Sequence, residues 1–591
     1  MHLTPEQRAA VAEPGHVCLV SCPGSGKTRT IIAKLLHCID TVQESTRRVA
    51  CITHTNAAAD EIDCRLRELC FGGEDLYYDV CTIHGFALQN ILRPFHCLLP
   101  EFVSGFTVLT SNMDEYSTKA NELIARFGLG NFAFEEFERI QRTPDGNPTH
   151  LEAIPEAVQR LWCRWLDQNA YVTLNEIVHH SGRLVSSYNH ISSALASRFA
   201  WILVDEFQDS SAGQILILKQ IHRFARTTFF CVGDPNQSIY GFAGASPELL
   251  VEFAEYIRAN TAHRLTGNFR SSTNICSVSE LLCASEPPMR AVGEHSDCPS
   301  EPSHHNVTTP LAGITQLFLP AVQAMNIPLG KVAILSSWWV SLFRIAGDLR
   351  ALGIPSLGPG ARPYKRSHMI GHLVEPVGAY LETGLSTMAV AVQRALFTLI
   401  ADTTGHATFS IYNYKGRVAV CEILAEAALA RTASDRAVDW VTNFADRAAS
   451  VLRHGDYLTS HQAGLLRESA AQMVADIRSR PNGAQLTVAE LGIFARPEHC
   501  LQLMTVHKAK GREFDAVAVI EMHDGNFPHF TIARLSDDNE RASRYAESRR
   551  VVYVAATRAK RILMFFSDRS DSRNRPSPFL GEMELETEHH D

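Results

Sequence analysis

Lys27 and Thr28 close a glycine-rich turn, SCPGSGKT, that follows the apolar run VCLVSC at 17–22. In such a turn the backbone N–H groups from Gly24 to Lys27 wrap phosphate oxygens, and the N-terminus of the next helix adds a favourable dipole. Lys27 supplies a point charge to the terminal phosphates, and the Thr28 hydroxyl holds Mg²⁺. Ser21, Cys22, Pro23, Ser25, Gly26 and Arg29 complete the candidate cradle. Ser21 stands where the GxxxxGK[ST] spacing has its first glycine. A second constellation, WILVDEFQDSS at 201–211, puts Asp205 and Glu206 at the end of an apolar run. Open α/β sheets bind ligands at that end of their strands. There Asp205 would hold Mg²⁺ through water, and Glu206 would position or deprotonate an attacking water. A solvated acidic turn has the same sequence, so the pairing with Lys27 is what points to nucleoside triphosphate hydrolysis.

These residues need a scaffold of buried strands. VCLVSC, RVACIT (48–53), WILVDE (201–206) and TFFCVGD (228–234) are nearly continuous apolar runs, each followed by a helix-like segment. KVAILSS (331–337), LQLMTVH (501–507), AVAVIEM (516–522) and RILMFFS (561–567) form a second set. Such runs predict parallel strands in two α/β lobes. Helical periodicity fills about 93–199 and, with many alanines, about 370–490, which predicts two helical insertions. The stretch 284–310 reads as a surface loop, and ELETEHHD at 584–591 as a solvated tail.

The chain has 591 residues, 45% hydrophobic and 20% charged, with a net charge of −9. A polyanion partner therefore requires a local basic surface. Fifteen cysteines include no CxxC pair, so neither a zinc ribbon nor a disulfide framework is supported. Neither a signal core nor an apolar run of ~18 residues is present, so a cytoplasmic protein with no membrane partner is expected.

Further segments decide what hydrolysis would drive. LTPEQRAAV precedes the cradle; ITHTNAAADEI and CTIHGFAL follow it. VGDPNQSIYGFAGA and LTGNFRSS follow the acidic pair, and LMTVHKAKGREFDAV and ESRRVVYVAATRAK come far downstream. In order and spacing this set resembles the motifs of superfamily 1 DNA helicases of the UvrD/Rep/PcrA type. The resemblance implies an α/β fold of two RecA-like P-loop NTPase lobes, each interrupted by a helical insertion. The expected parts are a first lobe at 1–95 and 196–280 with an insertion at 96–195. A second lobe follows at 281–370 and 491–580, with a reduced insertion at 371–490, and then an acidic tail at 581–591.

The resemblance also implies roles. Gln7 reads adenine, Phe269 stacks on it, Glu513 contacts the ribose, and Gly511 belongs to the same nucleotide-binding set. Gln237 links the γ-phosphate to the DNA site. Closure of the lobes is expected to bring Arg270 and the arginine finger Arg558 from the second lobe onto the triphosphate. Thr53, His54, Asn56, Thr82, His84, Tyr240, Phe242, Thr505 and His507 are the expected DNA contacts. Here His54 replaces the family's usual aromatic, Ala57 a common lysine, and Phe242-Ala243-Gly244-Ala245 the usual WRGA. Two cationic contacts are thus lost, which predicts a shallower salt dependence of DNA binding.

The implied activity is an ATP- and Mg²⁺-dependent 3′-to-5′ DNA translocase and helicase in repair or recombination. Its expected substrates are single-stranded and 3′-tailed duplex DNA. Two alternatives stay open: the motor subunit of a nuclease complex with a separate nuclease or repair partner, and an inactive DNA-binding scaffold.

Overall fold

The computed structural model describes residues 2–590 except 44, 70–76, 131–132, 144, 150, 152, 242–243, 245, 368, 405–408, 411–412, 481–482 and 572–573. The chain divides into two compact units, Met1–Asp297 with Asp537–Thr557 and Cys298–Ser536 with Arg558–Asp591.

The first unit is built on six parallel strands: β1 (Val17–Ser21), β2 (Arg48–Thr53), β3 (Tyr78–Thr82), β4 (Phe199–Val204), β5 (Thr228–Gly233) and β6 (Arg264–Leu265). Their order across the sheet is β3-β2-β4-β5-β1-β6. Alternate residues of the central strands enter different cores. Cys18, Ala50, Ile52, Ile202 and Val204 pack on one face, and Val17, Leu19, Cys51, Leu203 and Val232 on the other. A sheet buried on both faces accounts for the unbroken apolar runs. The segment around 109–171 has its own core, with Tyr116, Phe137 and Trp162 fully buried, and a two-residue parallel pair, Thr107–Val108 with Tyr171–Val172, joins its ends.

The second unit carries seven parallel strands: β7 (Ser303–Val307), β8 (Val332–Ser336), β9 (Ser356–Leu357), β10 (Leu501–Thr505), β11 (Phe514–Val519), β12 (Ala559–Asp568) and β13 (Thr587–His589). They lie in the order β9-β10-β8-β11-β12-β7-β13. Helices between Gly371 and Ile493 surround a separate core in which Trp440 and Phe444 stack at 5.0 Å.

Three expectations are corrected. The loop expected at 284–310 contains β7, and the expected solvated tail contains β13. Polar side chains hid both, but a strand needs only backbone partners. His304 is buried in β7 because its ring nitrogens meet Thr587 Oγ1 at 3.0 Å and Ser567 Oγ at 2.8 Å. The helix α3 (Asp538–Ala556), expected with the second lobe, groups with the first unit. Its Glu547 accepts from Gly241 N at 2.8 Å, and Arg550 Nε donates to Ser238 O at 2.7 Å. Among the described residues no helix is long and apolar enough to cross a membrane.

Candidate active site

The phosphate turn starts where β1 stops. Ser21 Oγ donates to Gly233 O of β5 at 3.1 Å, and Cys22 N donates to Leu265 O at 3.0 Å. The chain then passes through Gly24 (φ 67°) and Gly26 (φ 79°) into α2 (Lys27–Val42). Both glycines are required by conformation and by space. A Cβ on Gly24 would stand 2.6 Å from Asn268 Oδ1, and one on Gly26 2.8 Å from Gln7 Nε2. The first-turn N–H groups of α2 have no partner within their own helix. Ser25 Oγ is buried without a hydrogen-bond partner. A hydroxyl left unmatched beside a helix N-terminus suits a triphosphate. Pro23 is buried, Thr28 is half-buried at the cradle, and Arg29 is exposed.

Gln7 is oriented by a local device. Thr4 caps α1 (Pro5–Ala12), and Gln7 completes the capping box, so its Oε1 accepts from Thr4 N at 3.0 Å. Its Nε2 is thereby turned to Ser25 O at 3.0 Å, against the phosphate turn itself.

The acidic residues follow β4. Asp205 N donates to Ile52 O at 2.8 Å, and Glu206 adopts φ 49°, a left-handed conformation uncommon outside glycine. Burial, then the charge of Glu206, pushes the Asp205 carboxyl up to about 7, against the pull of Lys27. Asp234, beyond β5, is also raised by burial, opposed by Lys27 and Gln237. Carboxyls crowded near the Lys27 ammonium, and raised by burial, suit a site that takes up a divalent cation.

Gln208 is the residue the sequence reading missed. Its Nε2 donates to Glu206 Oε2 at 2.5 Å, and its Oε1 accepts from Asp234 N at 2.9 Å. Gln237 Nε2 donates to Asp234 Oδ2 at 2.5 Å. The signal was present in VDEFQDSS, where a glutamine sits two residues past the acidic pair at a strand end. Asn268 was missed too. Its Oδ1 accepts from the backbone N–H of Arg270 (2.7 Å) and Ser271 (2.9 Å).

Arg270 requires a correction, because it belongs to the first unit together with the phosphate turn. Phe269 N donates to Gly24 O at 2.9 Å, and Arg270 Nη1 donates to Thr557 O at 3.0 Å. Its approach therefore depends on the local fold of GNFRSS. Phe269 stays 45% exposed while its backbone is tied to the turn.

The expected DNA contacts of the first unit gather at the ends of β2 and β3, where Thr53 pairs with Thr82. Thr53 Oγ1 donates to Thr55 O at 3.0 Å, and Thr82 Oγ1 caps the next helix by accepting from Gly85 N at 3.1 Å. His54 stacks on Tyr240 with centroids 5.3 Å apart. Burial, then the charge of His54, lowers His84 to about 4, so its ring is neutral at physiological pH. Asn56 is exposed at the start of the helix Asn56–Leu69. Phe242 lies outside the described residues.

The remaining expected residues belong to the second unit. Thr505 ends β10 and His507 follows it, both half-buried. Gly511 has φ 81° with open space around it. Glu513 pairs with Lys560 Nζ at 2.6 Å. Arg558 is 1% exposed; its Nη1 donates to Arg512 O at 3.3 Å and its own carbonyl accepts from Phe514 N at 2.9 Å. Its guanidinium is thus held by the chain and kept out of bulk water.

Comparison with known proteins agrees over most of the chain. The family model for the UvrD/REP helicase N-terminal domain matches residues 3–258, and that for the UvrD-like helicase C-terminal domain matches 469–570. The chain is 25% identical to DNA helicase II of Salmonella typhimurium over 98% of its own length and 87% of that protein. It is 22% identical to the ATP-dependent DNA helicase PcrA of Staphylococcus aureus over 98% and 86% of the two chains. It is also 28% identical to the ATP-dependent DNA helicase Rep of Escherichia coli over 49% and 44%.

Proposed function

The chain belongs to the UvrD/Rep/PcrA-type DNA helicases, ATP-hydrolysing enzymes, and from that premise we propose a 3′-to-5′ motor on single-stranded DNA that serves DNA repair. The observation that carries the reading is the hydrogen-bonded series Glu206–Gln208–Asp234–Gln237 beside Lys27, set at the ends of β1, β4 and β5. Bound Mg²⁺–ATP supplies the phosphoryl group and a second positive charge.

The protein's own residues do the rest. Gly24 to Lys27 and the first turn of α2 hold the phosphates. Gln7 and Phe269 take the base edge and face, and Thr28 and Asp205 take the cation. Glu206, its carboxylate fixed by Gln208, orients the attacking water and receives its proton. Arg270 and Arg558 counter the charge that develops in phosphoryl transfer.

Gln208 also supplies the route from chemistry to motion. It ties Glu206 to Asp234, which is bound to Gln237, three residues before Tyr240 in the same loop. A change in the water-positioning carboxylate is therefore felt at the Tyr240–His54 ring pair, where bases stack. His84 acts beside them as a neutral ring.

The test is ATP turnover by the purified full chain with and without single-stranded DNA, together with strand displacement on 3′-tailed and 5′-tailed duplexes. Turnover stimulated by DNA, with displacement of the 3′-tailed duplex alone, is the expected result. DNA-independent turnover, or preference for the 5′ tail, overturns the reading.

A further inference from the structure

We propose that His305, Glu588 and His590 form a three-ligand zinc site that fastens the edge strand β13 to β7. Strand periodicity brings the residues together. His305 pairs in register with Glu588, and His590 lies two residues further on the same face of the chain. His305 Nδ1 stands 3.0 Å from His590 Nε2 and 3.2 Å from Glu588 Oε2, and His590 Nε2 is 3.6 Å from that same oxygen.

Those three edges describe one face of a tetrahedron. Zinc with ligands at about 2.0–2.1 Å has ligand-to-ligand edges of about 3.3 Å. The donor set, two imidazoles and one carboxylate, suits zinc, and its fourth position opens to solvent, since Glu588 is 61% exposed at its side chain. The supporting contact of such a site is present too. His305 Nε2 bonds Ser303 Oγ at 2.9 Å, which orients the ring so that Nδ1 faces the other two ligands.

The strand needs such a fastening. β13 has three residues, all exposed, at the edge of the sheet, so it buries almost no apolar surface. Its other ties are the backbone pairing with β7, the Thr587–His304 bond, and the contact of the Arg569 guanidinium with His590 O. Among the described residues one other cluster has comparable spacing, Asp167, Glu176 and His180. There the Arg142 guanidinium already bridges Asp167 and Glu176, each at 2.8 Å, and supplies the positive charge internally.

The experiment uses the full chain, freed of metal with a chelator and titrated with Zn²⁺ and, separately, with Co²⁺ as a spectroscopic probe. Expected are one tightly bound zinc per chain and the intense visible absorption of four-coordinate cobalt. Both should be lost in Glu588→Gln/His590→Ala, with affinity falling at least ~100-fold. Ser303→Ala, which removes only the orienting hydroxyl, should weaken binding by ~10–100-fold. Amide hydrogen exchange in β13 should slow on adding zinc to the wild type and be unchanged in the double variant. Because the two substituted side chains are partly or largely exposed, the variant's ATP turnover should match the wild type and report that it is folded. A wild-type chain without stoichiometric zinc, or a double variant that keeps it, reduces the cluster to hydrogen-bonded side chains and overturns the proposal.

Discussion

Asp205 and Asp568 occupy like places in the two sheets, one just past the end of β4 and the other closing β12, yet their carboxyls move in opposite directions. Asp205 is pushed up to about 7 by burial and by Glu206 beside it. Asp568 is also raised by burial, but hydrogen bonds from His523, at 2.8 Å, and from Ser570 outweigh that effect and hold it below the usual range. The second site supplies its own hydrogen-bond partners, whereas the first gathers carboxyls around Lys27. Strand ends of a parallel sheet are good binding positions in general. These two show that the side chains delivered there decide whether a position binds or merely packs. At the end of β1 the chain turns through SCPGSGKT; at the end of β8 it turns through SSWWVS, which offers bulky indoles and no glycine turn for phosphate.

The largest break in the comparison is Lys27→Ala, which removes a cation acting on both Asp205 and Asp234. ATP turnover should fall to background while single-stranded DNA binding, followed by fluorescence anisotropy, persists. Arg558→Ala asks whether the second unit contributes to chemistry. The expected loss is ~10³-fold or more in kcat with little change in nucleotide affinity. An unchanged kcat would leave the second unit without a part in the reaction. Glu206→Gln keeps the bond from Gln208 in altered form and removes the base, so ATP still binds and kcat drops by ~10²–10⁴-fold.

Smaller effects sharpen the contrast. Tyr240→Ala should weaken single-stranded DNA binding by ~1–3 kcal/mol through lost stacking, leaving DNA-free turnover intact. For Asp568 the pH effect has a definite sign. Its folded pKa is depressed, so the stability it contributes is complete above the ordinary carboxyl value near ~4 and is lost as pH falls through the lower folded value. Thermal melting below about pH 4 should therefore decline more steeply for the wild type than for Asp568→Asn.

Much of the site was readable from residue type and order. The glycine turn, Asp205 and Glu206 announce themselves because phosphate binding demands small residues and charges at strand ends, and the eight apolar runs all became strands. The strands β7 and β13 were not readable, because SHHNV and TEH bury or pair polar side chains whose partners, such as Thr587 and Ser567 for His304, are distant in sequence and on another strand. The helix α3 carries no hydrophobic stripe that would reveal where it docks, and its polar contacts, Glu547 to Gly241 and Arg550 to Ser238, assign it to the first unit.

Local chemistry, then, is written along the chain: which residues cradle phosphate, which are acidic at a strand end, and in what order the motifs follow. Folding alone determined that Gln208 braces Glu206 against Asp234, that Arg270 stands beside Gly24, and that three residues from β7 and the region of β13 meet within 3.6 Å. The reason is physical. A motif is set by what its own backbone and neighbours can do, whereas a hydrogen bond or a ligand triangle depends on a partner that only packing brings within reach.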